Sequence, residues 1–518
     1  MIHFYTFTMS GTTKTKPNSP SLILSPNSSE RRNFLRLGAA SVAGTALSPF
    51  LQACAQLDRI MVGDGSDETQ SVMILGGGLS GLTAARELKK MGVPFRVFEG
   101  SQRIGGRALT LDEFNVASQS VDLGAEWISV RDELVLNLCH ELRVGTTMLS
   151  SQSRTPQIFS SRGGPAQEFE KLLPNLKLAD RKILEAKDRL TDEQLDGFSV
   201  EDLISYLRTS IDETSGLWMK RMTELEWGED PRQVSALNYL DRFGKEPTGW
   251  KRALEKRIRV RGGVQNITQA LYDKVAGVVP GRFVLFDHKL RTIRDHGDRL
   301  KMGFETKDGS FNIEARVVIC TLPFSALRQV KGIDELDLSP MKLKAIQELG
   351  YGSHGKIAMS FKEKFWSSKS PVWTGDLQSQ WIWESGVDSS AMSFGSRGIL
   401  AGQMAGEAGR HLGAQSLNDF REDCKRINSG MGIEENSQMM NWALNPMSLG
   451  SVSYFKKGQM HQFSSSLSAP ERKGSFIFAG EHTSMTSMGT LNGAVESGIR
   501  AAIEASRFKN EFGKKLID

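Results

Sequence analysis

A glycine-rich turn between an apolar run and a helical pattern constrains the fold of this chain more than any other feature. The run Ser71–Leu75 predicts a buried strand, and it leads directly into Gly76-Gly77-Gly78-Leu79-Ser80-Gly81. From Leu82 to Lys90 the apolar residues recur at helical spacing. A strand, a GxGxxG turn and a helix in this order indicate a dinucleotide-binding unit.

Each residue of the turn has a physical role. Gly76 permits the tight turn, Gly78 lets backbone N–H groups approach the pyrophosphate, and Gly81 lets helix and strand pack closely. Leu79 and Ser80 open the helix, whose N-terminus favours phosphate. A second strand, Phe95–Phe98, ends at Glu99 and Gly100, and we expect Glu99 to accept hydrogen bonds from the adenosine ribose.

Two motifs after this unit favour FAD over NAD. The segment Arg103-Ile104-Gly105-Gly106-Arg107 resembles the RxGGR motif of the flavin amine oxidase family, which includes monoamine, polyamine and L-amino acid oxidases. Asp122-Leu123-Gly124-Ala125-Glu126-Trp127 resembles the family's DLGAxW stretch beside the flavin ring. The resemblance implies that Gly106 and Arg107 approach the flavin diphosphate, where Arg107 offers a fork to a phosphate oxygen, and that Gly124, Ala125, Glu126 and Trp127 bind the cofactor.

The resemblance returns near the end of the chain. Phe478-Ala479-Gly480-Glu481 is similar to the family's FAGE turn, which places the glutamate near the ribityl chain. A helix pattern from Gly489 to Ala505 follows, and in the family the N-terminus of this helix stabilises negative charge on the flavin. The implied cofactor-binding residues in these later segments, including one whose backbone meets the adenine, are Leu290, Gly480, Glu481, Thr490, Leu491, Asn492 and Ala494.

The resemblance covers about residues 71–505 and implies an α/β fold. We expect a discontinuous Rossmann-type FAD-binding domain and an α+β substrate domain. The FAD-binding pieces are predicted at 71–130, 255–330 and 470–505, and the substrate-binding pieces at 131–254 and 331–469.

Lys356 is the catalytic candidate. It lies in Gly352-Ser353-His354-Gly355-Lys356 and is followed by Phe365-Trp366, which is similar to the family's GSxxK…FW segment. The resemblance implies that this lysine holds a water against flavin N5 and assists reoxidation by oxygen. A cation there stabilises the negative charge that develops on oxygen.

Three departures from the family bear on the substrate and on the attachment of FAD. The two tyrosines of the monoamine oxidase cage align with Thr490 and with Ser451 or Val452, so an aromatic lining would have to come from Trp373, Trp381, Trp383 or Tyr454, each of which could equally be a core residue. The position of the carboxylate-binding arginine of amino acid oxidases holds Trp127, which favours an amine substrate, although another arginine could replace it. No cysteine lies near Trp442–Gly450, so FAD is expected to be non-covalent.

The implied reaction oxidises the C–N bond of an amine to an imine, with oxygen as acceptor and hydrogen peroxide as product. Within the family, an L-amino acid oxidase or a tryptophan 2-monooxygenase-like enzyme is the alternative. Outside it, an NAD-dependent dehydrogenase and a non-catalytic FAD-binding protein at the envelope remain open.

The N-terminus predicts export. Arg31-Arg32-Asn33-Phe34-Leu35-Arg36 resembles a twin-arginine signal, and the apolar stretch Leu37–Ala53 ends at Cys54 in a lipobox-like sequence. Residues 1–54 are therefore expected to form a polar, disordered segment and a signal read by the twin-arginine machinery. The product is periplasmic or, if Cys54 carries lipid, membrane-anchored; cleavage without lipidation is the alternative, because Gln52 is unusual there.

Composition excludes other classes of function. A net charge of +5 over 518 residues is too dilute to indicate a nucleic-acid partner. The four cysteines form no CxxC pair, and we expect no metal site.

Overall fold

A parallel five-stranded sheet carries the glycine turn. The structure, a computed structural model, describes residues 71–115, 119–149, 156–159, 166–277, 281–366, 372–385 and 397–515. In spatial order the sheet consists of Val284–Leu285, Phe95–Phe98, Val72–Leu75, Val318–Cys320 and Phe476–Phe478, and all neighbouring pairs are parallel. The chain therefore returns to this sheet close to both ends of the described region.

The remaining elements are given with their bounds. The strands outside the parallel sheet are Thr110–Leu111, Val121–Asp122, Ile128–Ser129, Thr146–Met148, Gln157–Phe159, Gln167–Glu168, Arg257–Val260, Lys289–His296, Arg299–Thr306, Gly309–Ala315, Gly350–Tyr351, Gly355–Phe361, Val372–Gly375, Trp381–Ser385, Gly398–Met404, Glu434–Asn441 and Ser453–Tyr454. The α-helices are Leu79–Lys90, Glu133–Glu141, Leu173–Lys187, Asp192–Gly197, Val200–Tyr206, Glu213–Trp227, Ala236–Phe243, Trp250–Ala253, Gln265–Ala276, Phe324–Leu327, Pro340–Glu348, Gly406–Arg410, Ala414–Ile427, Gln459–Leu467 and Leu491–Lys515.

Apolar residues cover both faces of the parallel sheet. Its strands Val72–Leu75 and Phe476–Phe478 are buried throughout, as expected of a parallel sheet with two covered faces. One face packs against the alanines of helices Leu79–Lys90 and Leu491–Lys515, and the other packs against the antiparallel sheet Lys289–Ala315. This packing fixes the glycine turn at the carboxyl end of the central strand.

A seven-stranded mixed sheet carries Lys356. The strand Gly355–Phe361 is buried along its whole length and pairs antiparallel with Gly398–Met404 on one side and Glu434–Asn441 on the other. Trp381–Ser385 is the next strand, and its tryptophans pack against the helices between Leu173 and Phe243. The parallel sheet therefore carries the glycine turn, and the seven-stranded sheet carries Lys356.

The α/β class is confirmed, and the predicted elements hold with shifts at their ends. The predicted strand Phe95–Phe98 is present with these bounds, and the strand predicted at Ser71–Leu75 begins at Val72. The C-terminal helix extends past the predicted Ala505 to Lys515. The predicted domain bounds stay a prediction. The predicted signal and Cys54 lie outside the described residues.

Among the described residues, no helix combines the length and the apolar composition needed to cross a bilayer.

Candidate active site

The glycine turn has the geometry that the sequence predicts for binding a pyrophosphate. Gly76 has a φ of +108°, which favours glycine, and a Cβ at Gly81 would lie 2.0 Å from the Gly76 carbonyl oxygen. A Cβ at Gly78 would meet no described atom within 4 Å. Gly78 is the N-cap of the helix that Leu79 and Ser80 open, and no side chain caps this helix. The first amide groups of the helix are thus available to an anion.

Glu99 closes one side of this turn. Its Oε2 accepts a hydrogen bond of 2.7 Å from the Gly77 amide, and its Oε1 accepts one of 2.7 Å from the Ser101 hydroxyl. Gly100 lies against the strand that contains Leu290, because a Cβ at Gly100 would lie 3.4 Å from the Lys289 Cα. The predicted ribose-binding and adenine-binding residues are therefore neighbours.

The RxGGR segment packs onto the glycine turn. Gly105 forms a parallel bridge with Gly78, and Gly105 and Gly106 have φ values of +98° and +57°. A Cβ at Gly106 would lie 3.6 Å from the Gly78 Cα. These glycines let a second stretch of backbone pass beside the predicted pyrophosphate site.

Arg107 joins the motifs from the two ends of the chain. Its Nη1 donates a hydrogen bond of 2.6 Å to Glu481 Oε1, and it also donates to the Ser451 carbonyl. Glu481 accepts further hydrogen bonds of 2.5 Å from the Ser453 hydroxyl and 2.9 Å from the Gly489 amide. Arg107 thus binds the FAGE glutamate through Nη1, and its contact with a phosphate stays a prediction.

A shared serine brings the FAGE turn to the glycine turn. The Ser497 hydroxyl lies 3.1 Å from the Ser80 hydroxyl and accepts a hydrogen bond of 3.0 Å from the Gly480 amide. Gly480 has a φ of +122°. The two turns, at opposite ends of the described chain, therefore meet at one place.

The start of the C-terminal helix is held by local hydrogen bonds. The Thr490 hydroxyl accepts from the Gly493 amide at 3.0 Å, and the Thr490 carbonyl accepts from the Ala494 amide at 3.1 Å. The side chain of Asn492 accepts from the Val135 amide at 3.2 Å. These contacts fix the start of the helix at Leu491. Two residues earlier, the Gly489 amide donates its hydrogen bond to Glu481.

Lys356 is buried and ion-paired, not solvated. Its Nζ donates a hydrogen bond of 2.6 Å to Glu126 Oε2, and the two side chains are only 6% and 4% exposed. Arg259, 4% exposed, forms an ion pair with the other oxygen of Glu126. The glutamate that the sequence assigns to cofactor binding is thus the counterion of two buried cations.

Aromatic and polar side chains surround this ion cluster. The Trp383 Nε1 and the Ser385 hydroxyl both donate to Glu126, at 3.0 and 3.1 Å. The Lys356 Nζ lies 5.2 Å from the centroid of the Trp383 ring, and the Trp127 and Trp383 rings are 4.7 Å apart. Of the four aromatic residues proposed from the sequence as pocket lining, Trp383 is therefore the one that contacts Lys356.

Asp122, at the start of the DLGAxW stretch, is buried close to this cluster. Its Oδ1 accepts hydrogen bonds of 2.6 Å from the Thr110 hydroxyl and 2.9 Å from the Val264 amide. Burial, with a smaller contribution from Glu126, raises the pKa of Asp122 to about 6.

Ser451 contacts both Arg107, which binds Glu481, and the segment that carries Lys356. Its carbonyl accepts from Arg107, and its hydroxyl lies 2.9 Å from His354 Nδ1, on the segment that leads to Lys356. The other ring nitrogen of His354 lies 3.1 Å from the Glu224 carbonyl oxygen, which identifies Nε2 as protonated. Burial lowers the pKa of His354 to about 4.

Sequence reasoning missed Arg259 and Ser451 as site residues. Arg259 stands between Ile258 and Val260, and an arginine in a buried strand needs a carboxylate partner. That pattern was the available signal for Arg259. The alignment of Ser451 or Val452 with a cage tyrosine was the signal for Ser451, but it does not show the contacts of Ser451 with Arg107 and His354, which come from distant parts of the chain.

The residues present fit FAD. The helix N-terminus with room at Gly78, the carboxylate of Glu99 and the second turn at Gly105–Gly106 provide donors and acceptors for a dinucleotide. In the described residues, no group of three or more His, Cys, Asp or Glu side chains stands close enough to hold a metal ion.

Comparisons with known proteins agree with this geometry. The family model for flavin containing amine oxidoreductases matches residues 79–505. Lysine-specific histone demethylase 1 homolog 3 of Oryza sativa subsp. indica is 26% identical over 463 residues, which cover 85% of this chain and 54% of that protein. The flavin-containing amine oxidase A of Equus caballus is 24% identical, with 86% of each chain covered.

The solved structure of cyclohexylamine oxidase from Brevibacterium oxydans IH-35A superposes with a TM-score of 0.69. It is 18% identical, and the match covers 85% of this chain and all of that one, so this likeness concerns the fold. The chain spans just over half the length of the first curated relatives that it matches.

Proposed function

The chain belongs to the family of flavin containing amine oxidoreductases, and from this premise we propose that it oxidises the C–N bond of an amine to an imine. The acceptor is oxygen, the product is hydrogen peroxide, and FAD is bound non-covalently. The observation that carries the proposal is the buried ammonium of Lys356, held by Glu126 in the stretch that the family places beside the flavin ring.

The residues that would hold FAD come from both ends of the chain. The helix N-terminus at Leu79 takes the pyrophosphate, Glu99 takes the ribose, and the Arg107–Glu481 pair borders the middle of the cofactor. Non-covalent binding is supported by the described cysteines, Cys139, Cys320 and Cys424, each of which is buried in an apolar cluster.

The chemistry that FAD supplies when bound is the removal of two electrons from the C–N bond and their transfer to oxygen. Lys356 contributes a fixed positive charge where oxygen is reduced, and Glu126 and Trp383 hold that charge in place. Because the site is buried, this charge acts with little screening by water.

The same cluster favours the reactive form of the amine. The Lys356 ammonium is a buried cation, and a second cation directly beside it is disfavoured. The substrate is therefore held as a neutral amine, whose nitrogen lone pair assists electron removal.

The test is spectroscopic. Purified protein should show flavin absorbance, and acid precipitation should release the flavin into the supernatant. Under anaerobic conditions a panel of amines should include one that bleaches the flavin, with stoichiometric hydrogen peroxide when air is admitted. Absence of flavin would reject the proposal in favour of the NAD-dependent alternative, and flavin that no amine bleaches would leave a binding protein without this activity.

An amino acid oxidase is the second candidate. It is favoured by a cation, Arg257, which lies above the Trp127 ring. Trp127 occupies the sequence position of the carboxylate-binding arginine of amino acid oxidases, but Arg257 provides an arginine beside that position.

We also propose that the twin-arginine route exports the protein from the cytoplasm. The twin-arginine pair Arg31-Arg32 and the lipobox-like Cys54 support a periplasmic or lipid-anchored product. Replacing both arginines by lysine should leave the protein in the cytoplasmic fraction, and labelling with a radioactive fatty acid should depend on Cys54. Export of the double lysine variant at the normal level would overturn this assignment.

A further inference from the structure

A polar cavity of about 350 Å³ lies apart from the ion cluster around Lys356. The residues that line it include Arg328, Tyr351, Tyr454 and Lys456, and the two tyrosines belong to one two-stranded sheet. No side chain of the Lys356 cluster is among the residues that line this cavity. The proposed function therefore gives the cavity no role.

The partly buried carboxylates of the cavity wall already have arginine partners. Arg410 Nη1 donates hydrogen bonds of 3.0 and 2.9 Å to the two oxygens of Glu229. Arg232 donates to the two oxygens of Asp230, from Nε at 2.9 Å and from Nη2 at 2.5 Å. Glu407 also lines the cavity, but its side chain is exposed. Glu229 and Asp230 are therefore neutralised by cations of their own.

Arg328 and Lys456 form no ion pair with a carboxylate of the described chain. Arg328 uses Nε and Nη2 to donate to two backbone carbonyls, both at 2.6 Å, and these bonds do not involve its Nη1. Glu348 and Glu229 act on Lys456 from a distance, but neither forms an ion pair with it. The Lys456 ammonium and the Arg328 Nη1 group therefore remain for a ligand.

The positive charges of Arg328 and Lys456 are costly in the protein alone, because both side chains are partly buried. Burial lowers the pKa of Arg328. Burial, and then repulsion from Arg328, lowers the pKa of Lys456. An anion in the cavity that both side chains line reduces this cost, because it gives each cation an opposite charge.

Tyr351 adds a hydroxyl donor beside these cations. Its oxygen accepts a hydrogen bond of 2.8 Å from the Phe324 amide, so its own proton remains for a different acceptor. The centroid of the Tyr351 ring lies 5.9 Å from the guanidinium carbon of Arg328. Tyr351 and Arg328 thus present donors from the same wall, and these donors suit a ligand rich in acceptor oxygens.

We propose that the cavity binds the phosphate group of a small anion through Arg328 and Lys456, with Tyr351 as a further donor. Charged donors bind anionic oxygens in hydrogen bonds roughly twice as strong as neutral ones. A phosphate monoester carries about −1.5 to −2 charges at pH 7, which matches two cations better than a single carboxylate does. The volume of about 350 Å³ admits free phosphate or a phosphate ester. This binding does not depend on the proposed oxidation of amines.

Isothermal titration calorimetry of the purified protein tests this site with inorganic phosphate and with glycerol phosphate. Malonate, a dianion without phosphorus, is the reference ligand, and every titration has the same ionic strength because salt screens exposed charges. We expect at least one of the two phosphates to bind more tightly than malonate, and the tighter one shows whether the phosphate is free or esterified. If neither phosphate binds, or if malonate binds as tightly as the better one, the proposal is overturned.

Lys456→Met tests the assignment of the anion to this cavity. The change removes an ammonium that donates no hydrogen bond to a described residue, so the fold loses no such contact. The dissociation constant for the phosphate should rise roughly 10-fold or more, the effect of losing one hydrogen bond to a charged group. Arg328→Gln should weaken binding likewise, and its thermal midpoint shows whether the lost bonds to two carbonyls unfold it.

Lys457→Met is the matched control. Lys457 is the next residue, is exposed, lies 3.4 Å from Asp202 and does not line the cavity. This variant should keep the dissociation constant within about 2-fold of the wild-type value, as expected of a surface substitution. Equal weakening in Lys456→Met and Lys457→Met would show a general effect of charge. Binding that Lys456→Met leaves unchanged would place the anion elsewhere, for example at the glycine turn, and either result overturns the proposal.

Discussion

The ammonium of Lys356 lies 2.6 Å from the carboxylate of Glu126, although 230 residues separate them in the chain. Arg259 holds the second oxygen of the same carboxylate. One buried anion therefore compensates two buried cations, and the loss of its charge affects both.

Substitution Glu126→Gln should destabilise the protein. The change leaves Lys356 and Arg259 buried without a counterion, and we expect the free energy of unfolding to fall by about 3 kcal/mol. Urea denaturation at neutral pH measures it. As a control, Glu201→Gln removes one partner of the partly exposed Lys220–Glu201 pair and should cost less than about 1 kcal/mol. Equal losses in the two variants would contradict the role given to Glu126.

Substitution Lys356→Met should slow the reaction with oxygen more than the reaction with the amine. We expect reoxidation of the reduced flavin to slow by roughly 10²- to 10³-fold, because one preorganised charge is removed. Stopped-flow absorbance separates the two half-reactions. Lys364→Met removes a more exposed lysine of the same segment and should leave both rates unchanged. A Lys356→Met protein that is reoxidised at the normal rate would remove Lys356 from the oxidative step.

Substitution Glu481→Gln should weaken FAD binding. The change removes the charge that holds Arg107, and we expect the dissociation constant to rise roughly 10- to 100-fold, the worth of one hydrogen bond to a charged group. Titration of the apoprotein with FAD, followed by fluorescence, gives this constant. Glu504→Gln breaks the Arg500–Glu504 pair on the C-terminal helix and serves as the comparison. Unchanged affinity in Glu481→Gln would show that the pair does not shape the cofactor site.

His354 should make the protein sensitive to acid. Its pKa is about 4 in the folded state, below the ordinary value of 6.5, so between these pH values the unfolded chain binds a proton that the folded chain does not. Its contribution to stability is present above pH 6.5 and is lost as the pH falls towards 4, by at most about 3 kcal/mol.

The measurement is the free energy of unfolding in urea at pH 4.5 and at pH 7, for the wild type and for His354→Gln. Asp122 and other groups titrate in the same pH range in both proteins, so the contribution of His354 is the difference between the two pH-dependent losses. His411→Gln, at an exposed histidine, is the comparison variant. If His354→Gln loses as much stability on acidification as the wild type, burial of the neutral imidazole is not the cause.

The local motifs were readable from the sequence because their geometry is local. Gly76 and Gly81 act on residues within the same turn, where the positive φ of Gly76 and the close approach of Gly81 to the Gly76 carbonyl both require glycine, and the contact of Gly78 with a pyrophosphate stays a prediction. The contact of Arg107 with Glu481 is not predictable from the sequence, since spacing alone does not show that Glu481 lies within reach. The same limit hid Arg259, which lies in another strand and meets Glu126 only in the folded chain.

The hydrogen bond between Arg107 and Glu481 closes a loop of 374 residues. During synthesis the first half of the nucleotide site is made long before its second half exists, and contacts of such sequence separation form late and slowly. A nascent chain that stops before Phe476 lacks the last strand of the parallel sheet and the anchor of Arg107. We therefore expect only the nearly complete polypeptide to retain flavin, and a chain truncated before Phe476 to be purified without it.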